Sequence, residues 1–316
     1  MKTFPAANPY SGDELGVALL QSWVVYADIL GWKAAAIEQI NLDGGQPFLA
    51  RTQTSLSKAL NELRAAAQRN PWPDPDTPWR YAVKTFTDNL VIGVPWSLDR
   101  DDGEHELGLT LDQASTLQLQ LACDGFFLRG GFAAGAHYMD EDFVFGAALV
   151  ESVNADAPGG PPAIVATESA KCAIRRHLSY YRSDTHRPHD RNVWVDAATE
   201  QWFVNYLDPV LWAWPSGSPF IDELRAHRDA IVAGLATHRH DEKTRKKYEW
   251  LATYHNEFCA AFGEENRPRF EFGEIGYEGE FYPDFDPELE FQLEAINTVV
   301  DLQIPGFGRL VRGILV

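Results

Sequence analysis

The chain has 316 residues, 45% of them hydrophobic, and carries a formal net charge of -19 at pH 7 with a sequence pI near 4.8. That length suffices for one large domain or a domain with a substantial extension, and the acidity argues against duplex nucleic acid or an anionic membrane surface as the main partner. Cys123, Cys172 and Cys259 are far apart, which suggests neither a disulfide framework nor a zinc ribbon.

The N-terminus carries Pro5, Asn8, Pro9, Gly12 and Asp13 where a signal peptide would need an apolar core, and no apolar run reaches the length of a membrane span. A cytoplasmic protein is expected. The first clear element is the apolar run Ser22 to Asp28, which reads as a buried strand that Gly31 turns into a helix beginning at Lys33. Thr54 or Ser55 is expected to cap the next helix, with Leu56, Leu60, Leu63 and Ala67 on its buried stripe. Pro71, Pro73, Pro75 and Pro78 then exclude regular structure.

Tyr81 to Pro95 reads as a tight β-hairpin with Asp88 at its tip. The acidic stretch Ser97 to Gly108 reads as a solvated loop, after which Thr110 or Asp112 opens a helix that Gly125 ends. Phe126 to Gly135 follows as a strand whose glycines imply that a backbone or a ligand approaches closely. Asp140-Glu-Asp makes a turn, Phe143-Val-Phe a short strand, Gly146 to Asn154 a short helix, and Pro162 to Thr167 another strand.

That order is a split βαβ, ferredoxin-like arrangement, an α+β fold with an antiparallel sheet and helices on one face. It sets the first strand beside the hairpin and so brings Asp28 and Asp88 together. Two neighbouring carboxylates repel, and a divalent cation between them removes the conflict. Taken singly, the two acids also read as a helix cap and a turn residue.

The quoted residues resemble the catalytic core of class III nucleotide cyclases. Ala27-Asp-Ile-Leu-Gly-Trp resembles that family's first metal-binding strand, Val83-Lys-Thr-Phe-Thr-Asp88 its Val-Lys-Thr-Ile-Gly-Asp hairpin, and Leu128-Arg-Gly-Gly-Phe-Ala-Ala-Gly135 its Leu-Arg-Ile-Gly-Ile-His-Thr-Gly strand. Phe143-Val-Phe-Gly146 falls where the family has Tyr-Asp-Val-Trp-Gly. More narrowly, Asp28-Ile-Leu-Gly-Trp, Phe86-Thr-Asp-Asn, Val144-Phe-Gly-Ala-Ala-Leu-Val-Glu and Lys247 to Asn256 resemble the bacterial branch that includes the pyrimidine cyclases of Pycsar anti-phage systems.

The resemblance implies a cyclase domain over residues 15 to 195, a mainly helical extension over 196 to 316, and a homodimer. It implies conversion of UTP or CTP to cyclic UMP or cyclic CMP, a second messenger for a separate effector. Asp28, Asp88 and the Ile29 carbonyl would hold two divalent cations, Mn²⁺ or Mg²⁺. Lys84 and Asp142 would lie near the base. The family's helix supplies an Asn and, four residues later, an Arg; here Val150 and Asn154 stand at those positions, and Phe143 replaces the base-reading Asp. Arg129 is a candidate substitute for the Arg, or a structural partner of Glu151.

Those departures keep a nucleotide sensor or scaffold open as a rival, and an oligonucleotide-forming nucleotidyltransferase uses a similar acid pair. The pairs His186 with His189 and His238 with His240 lack a full metal-ligand set, and Lys171, Arg175, Arg176 and Lys243 to Lys247 read as exposed helix faces.

Overall fold

The computed structural model describes residues 8–10, 17–69, 81–97, 102–155, 160–179, 192–196, 198–212, 219–261 and 310–311. The proline-rich stretch at 71–78 and the pair His186 and His189 lie outside them. The apolar run of the first strand forms β1 (Leu20–Ile29), and Gly31 turns the chain into α1 (Trp32–Asp43) and α2 (Gln46–Arg69). The hairpin is β2 (Ala82–Phe86) and β3 (Asn89–Pro95). There follow α3 (Glu104–Cys123), β4 (Leu128–Met139), β5 (Val144–Gly146), α4 (Ala147–Asn154), β6 (Ile164–Ala166) and α5 (Glu168–Leu178).

Beyond these come β7 (Val193–Asp196), β8 (Trp202–Val204), α6 (Pro209–Trp212), α7 (Pro219–Thr237), α8 (Glu242–Ala261) and β9 (Leu310–Val311). The result is an α+β fold around one open, mainly antiparallel sheet, ordered β2-β3-β1-β4-β6-β8-β7-β9, with β5 paired to β4 and helices towards the C-terminus. Among the described residues no helix is long and apolar enough to cross a membrane.

β1 is central because it is apolar on both faces. Trp23, Val25, Ala27 and Ile29 are buried with Ala59 and Leu63 of α2 and Leu107, Leu111 and Leu117 of α3. Val24, on the opposite face by strand alternation, packs with Ala133 of β4 and Ala148 of α4. Each such large apolar side chain contributes about 1.5–3 kcal/mol when fully buried. A second cluster joins the far strands to the C-terminal helices. There Trp250 of α8 stacks on Tyr254, which contacts Trp194, Phe203 and Tyr206.

Two helix starts differ from expectation. α2 begins at Gln46 rather than at Thr54 or Ser55, because Thr52 and Thr54 sit inside it and turn their hydroxyls back to the carbonyls of Phe48 (2.9 Å) and Ala50 (2.8 Å). Its buried stripe runs through Thr52, Ser55, Ala59 and Leu63. α3 begins at Glu104, inside the stretch read as a solvated loop. Glu106 is buried and accepts the Ser97 N–H at 3.0 Å, while Gly103 accepts the Trp23 indole N–H at 2.6 Å. Acids in a first helical turn also favour the helix dipole.

His137 of β4 is fully buried beneath Tyr10, edge-on with ring centroids 5.3 Å apart, and among the described residues neither ring nitrogen has a hydrogen-bond partner. Burial pulls its pKa down to about 4. The folded chain therefore refuses a proton that the unfolded chain takes up below about pH 6.5, so this stability is whole above that pH and lost as the pH falls towards 4. His227 acts in the same direction, held neutral by burial and by neighbouring His255. Urea unfolding at pH 6.5 and 4.5 should show the acid-induced loss reduced by about 2–3 kcal/mol in His137→Phe, which keeps the ring packing without the titration.

Candidate functional site

The register of four strands builds the site. Phe86 pairs with Asn89, Asn89 with Asp28, and Asp28 with Arg129, so these four side chains form one row across β2, β3, β1 and β4. The next row on the same face, two residues along each strand, is Lys84, Val91, Tyr26 and Gly131. One face of the sheet thus ends in a row that is polar at Asn89, Asp28 and Arg129 and apolar at Phe86, backed by a more buried one.

Asp28 closes β1 in a bidentate ion pair. Arg129 Nε donates to Oδ1 at 2.8 Å and Nη2 to Oδ2 at 3.0 Å, with side chains 15% and 26% exposed. Arg129 thus pairs with Asp28, while Glu151 Oε1 accepts the Ser169 N–H at 3.0 Å at the start of α5. Asp88 lies beside Asp28: its carbonyl accepts the Ile29 N–H at 3.2 Å, which ties the hairpin tip to the end of β1.

The tip is a two-residue turn, Thr87-Asp88, in which Thr87 takes a φ of 57°. A β-branched residue at such a positive φ is strained. The strain is offset locally, since the Thr87 hydroxyl donates to Asp88 Oδ1 at 2.9 Å and Asn89 Nδ2 reaches the same oxygen at 3.4 Å. Tyr26 OH donates in turn to Asn89 Oδ1. Asn89 was read in the sequence only as part of Phe86-Thr-Asp-Asn, and Tyr26 was not singled out; the signal was available, because Tyr26 is two residues before Asp28 and so shares its face.

Lys84 is half-buried, and its charge is one of the causes that hold the Asp140 carboxyl below the usual carboxylate range, after hydrogen bonds from Tyr138 and the Phe143 N–H. Asp142 is exposed, and its backbone N–H donates to Asp140 Oδ1 at 2.8 Å. Phe143 and Phe145 stack with ring centroids 6.0 Å apart and are 55% and 56% exposed. Val150 of α4 is 60% exposed and Asn154 is exposed, so α4 brings no charged donor to the row. Arg175 and Lys171 lie over the Trp202 ring, and Arg175 also bonds Glu168 at 3.1 Å.

The donors suit a hard divalent cation. Asp28 holds positive charge already, and among the described residues nothing bonds Asp88 Oδ2. No group of three or more His, Cys, Asp or Glu that could hold a metal occurs among the described residues. Two carboxylates and a carbonyl are the modest protein set with which Mg²⁺ binds when phosphates and water complete its shell. Elsewhere, a cavity of about 600 Å³ lies at the start of α8, lined by Pro161, Asp196, His240, Lys243, Lys246 and Trp250. None of the residues singled out as cation or nucleotide ligands lines it, Asp196 Oδ2 accepts the Trp250 N–H at 2.7 Å, and Lys246 pairs with Glu242 at 2.8 Å.

No protein-family model matches the sequence, and comparison with curated proteins gives no match.

Proposed function

We propose that the chain is a metal-dependent pyrimidine nucleotide cyclase that converts UTP or CTP to the 3′,5′-cyclic monophosphate and pyrophosphate, as a cytoplasmic second-messenger source in Pycsar-type anti-phage defence. The observation that carries this reading is the junction of Asp28, near the end of β1, with Asp88, in the turn of the adjacent hairpin, and Arg129 on the Asp28 carboxylate. It is supported by the order β2-β3-β1-β4 with helices in the crossovers, which is how a ferredoxin-like βαββαβ unit is wound.

Asp28, Asp88 and the Ile29 carbonyl would hold the cations, Mn²⁺ or Mg²⁺. When bound, these supply charge neutralisation of the triphosphate and acidify the ribose 3′-hydroxyl. The reaction forms a bond from the 3′-oxygen to the α-phosphorus, breaks the bond from that phosphorus to the bridging oxygen, and releases one proton and pyrophosphate. In this scheme Asp28 and Asp88 orient the triphosphate end, Arg129 provides the cationic donor that α4 lacks, and Lys84 and Asp142 border the base.

A homodimer accords with the apolar surface around this face: Phe86, in the row of Asp28, is 74% exposed, and Val150 and Val153 of α4 are 60% and 40% exposed. The product would act through a separate cyclic-nucleotide-activated effector. A second reading, a nucleotide sensor or scaffold with little turnover, is favoured by the solvent-facing Val150 and Asn154 where the cyclase family carries its Asn and Arg.

The test is incubation with each of the four labelled NTPs and Mn²⁺, with products identified by mass spectrometry. The expected result is a cyclic pyrimidine monophosphate that Asp88→Ala abolishes. Retained nucleotide binding without any product supports the sensor, and oligonucleotide products support a nucleotidyltransferase.

A further inference from the structure

The Asp28 carboxylate spends both oxygens on one guanidinium. Arg129 Nε and Nη2 meet Oδ1 and Oδ2 at 2.8 and 3.0 Å, the parallel fork that makes an arginine–carboxylate pair strong as well as directional. The two residues are register partners on adjacent central strands, so their backbones cannot part without opening the β1–β4 ladder. Any change at the carboxylate must be a rotation of side chains. Arg129 retains the room for one, being 26% exposed on the side chain.

A divalent cation on Asp28 needs at least one of those oxygens at about 2.0–2.6 Å. Cation and guanidinium would then share one carboxylate at contact distance, a like-charge conflict that a half-buried site does not screen away. Asp88, by contrast, has its contacts on Oδ1 alone from Thr87 and Asn89, so one of its oxygens is open to a cation without rearrangement.

We propose that Arg129 is a built-in competitor of the divalent cation at Asp28: its guanidinium holds the carboxylate until metal displaces it by a change of rotamer. This rests on the reading of Asp28 as a metal ligand. The pair neutralises the Asp28 carboxylate and closes it at low cation concentration, and it sets a threshold for metal entry that Asp88 alone does not impose.

The experiment measures Mn²⁺ binding to nucleotide-free protein from the EPR signal of free aqueous Mn²⁺, for wild type, Arg129→Gln, Arg129→Lys, Asp28→Ala and the Asp28→Ala/Arg129→Gln double variant. Arg129→Gln is expected to bind Mn²⁺ about tenfold more tightly than wild type, the scale of losing one charge-assisted fork. Arg129→Lys, which keeps the charge and loses the fork, should fall between them and guards against a folding defect in the neutral variant. The gain must vanish in the double variant.

Equal affinity in wild type, Arg129→Gln and Arg129→Lys, with weaker binding in Asp28→Ala, overturns the competition and leaves Asp28 a ligand. Mn²⁺ binding that Asp28→Ala leaves unchanged, repeated with UTP or CTP present, overturns the metal reading itself and the competition with it.

Discussion

Asp28→Asn is expected to lower turnover of the pyrimidine nucleotide by at least about a hundredfold, while its unfolding free energy stays within about 1 kcal/mol of wild type. The first effect follows from the proposed role. Asn keeps the shape and one acceptor oxygen but loses the charge, and a neutral amide is a poor ligand for a hard divalent cation. The second follows from the surroundings. The ion pair is partly exposed at 15% and 26%, and the Asn carbonyl can still accept one N–H from Arg129.

The split between the two readouts separates a ligand from a structural partner. Were Asp28 present only to hold Arg129 against the sheet, Asp28→Asn would cost no more activity than Arg129→Gln, with similar stability. As a ligand, Asp28 gives a variant that folds, melts normally and lacks turnover at every Mn²⁺ concentration. Initial rates over a Mn²⁺ series, beside urea unfolding of the same preparations, read both quantities. A rate within a fewfold of wild type at saturating Mn²⁺ removes Asp28 from the metal site.

The sequence made the position of Asp28 legible but not its partner. A carboxylate ending the run Trp23-Val-Val-Tyr-Ala is costly to desolvate and must be compensated, and that much is local chemistry. Arg129 lies 101 positions away, and it meets Asp28 because ten consecutive pairs from Leu20↔His137 to Ile29↔Leu128 fix the register. Register is a property of two strands and their shared core, which neither segment states alone. The hairpin was legible for the opposite reason: its strands are adjacent in sequence and its turn is two residues long.

The misjudged helix starts have a common cause. Thr52, Thr54 and Ser55 are good caps by composition, yet hydroxyls inside a helix can bond the carbonyl four residues back, and the two threonines do so. Glu104 and Glu106 resembled a solvated loop until Ser97 supplied an N–H for the buried carboxylate. The strands beyond β6 are two to four residues long, too short to show a period.

The glycines of β4 mark the position where a substitution should cost most. A Cβ on Gly130 would stand 2.0 Å from the Tyr26 carbonyl oxygen and 2.8 Å from Ala27 Cα, both backbone atoms of the neighbouring strand. No rotamer relieves that contact, so Gly130→Ala must push β1 and β4 apart at the pair next to Asp28 and Arg129. Gly135→Ala, in the same strand, would bring its Cβ no closer than 3.6 Å to Ala148 Cβ, an ordinary contact. Gly130→Ala is therefore expected to destabilise the fold by about 3 kcal/mol or more, and Gly135→Ala by less than about 1 kcal/mol. Urea unfolding of the two variants side by side checks this. Equal midpoints would mean that the sheet can absorb the extra methyl, and that the close approach of the two strands is not what places Asp28 against Arg129.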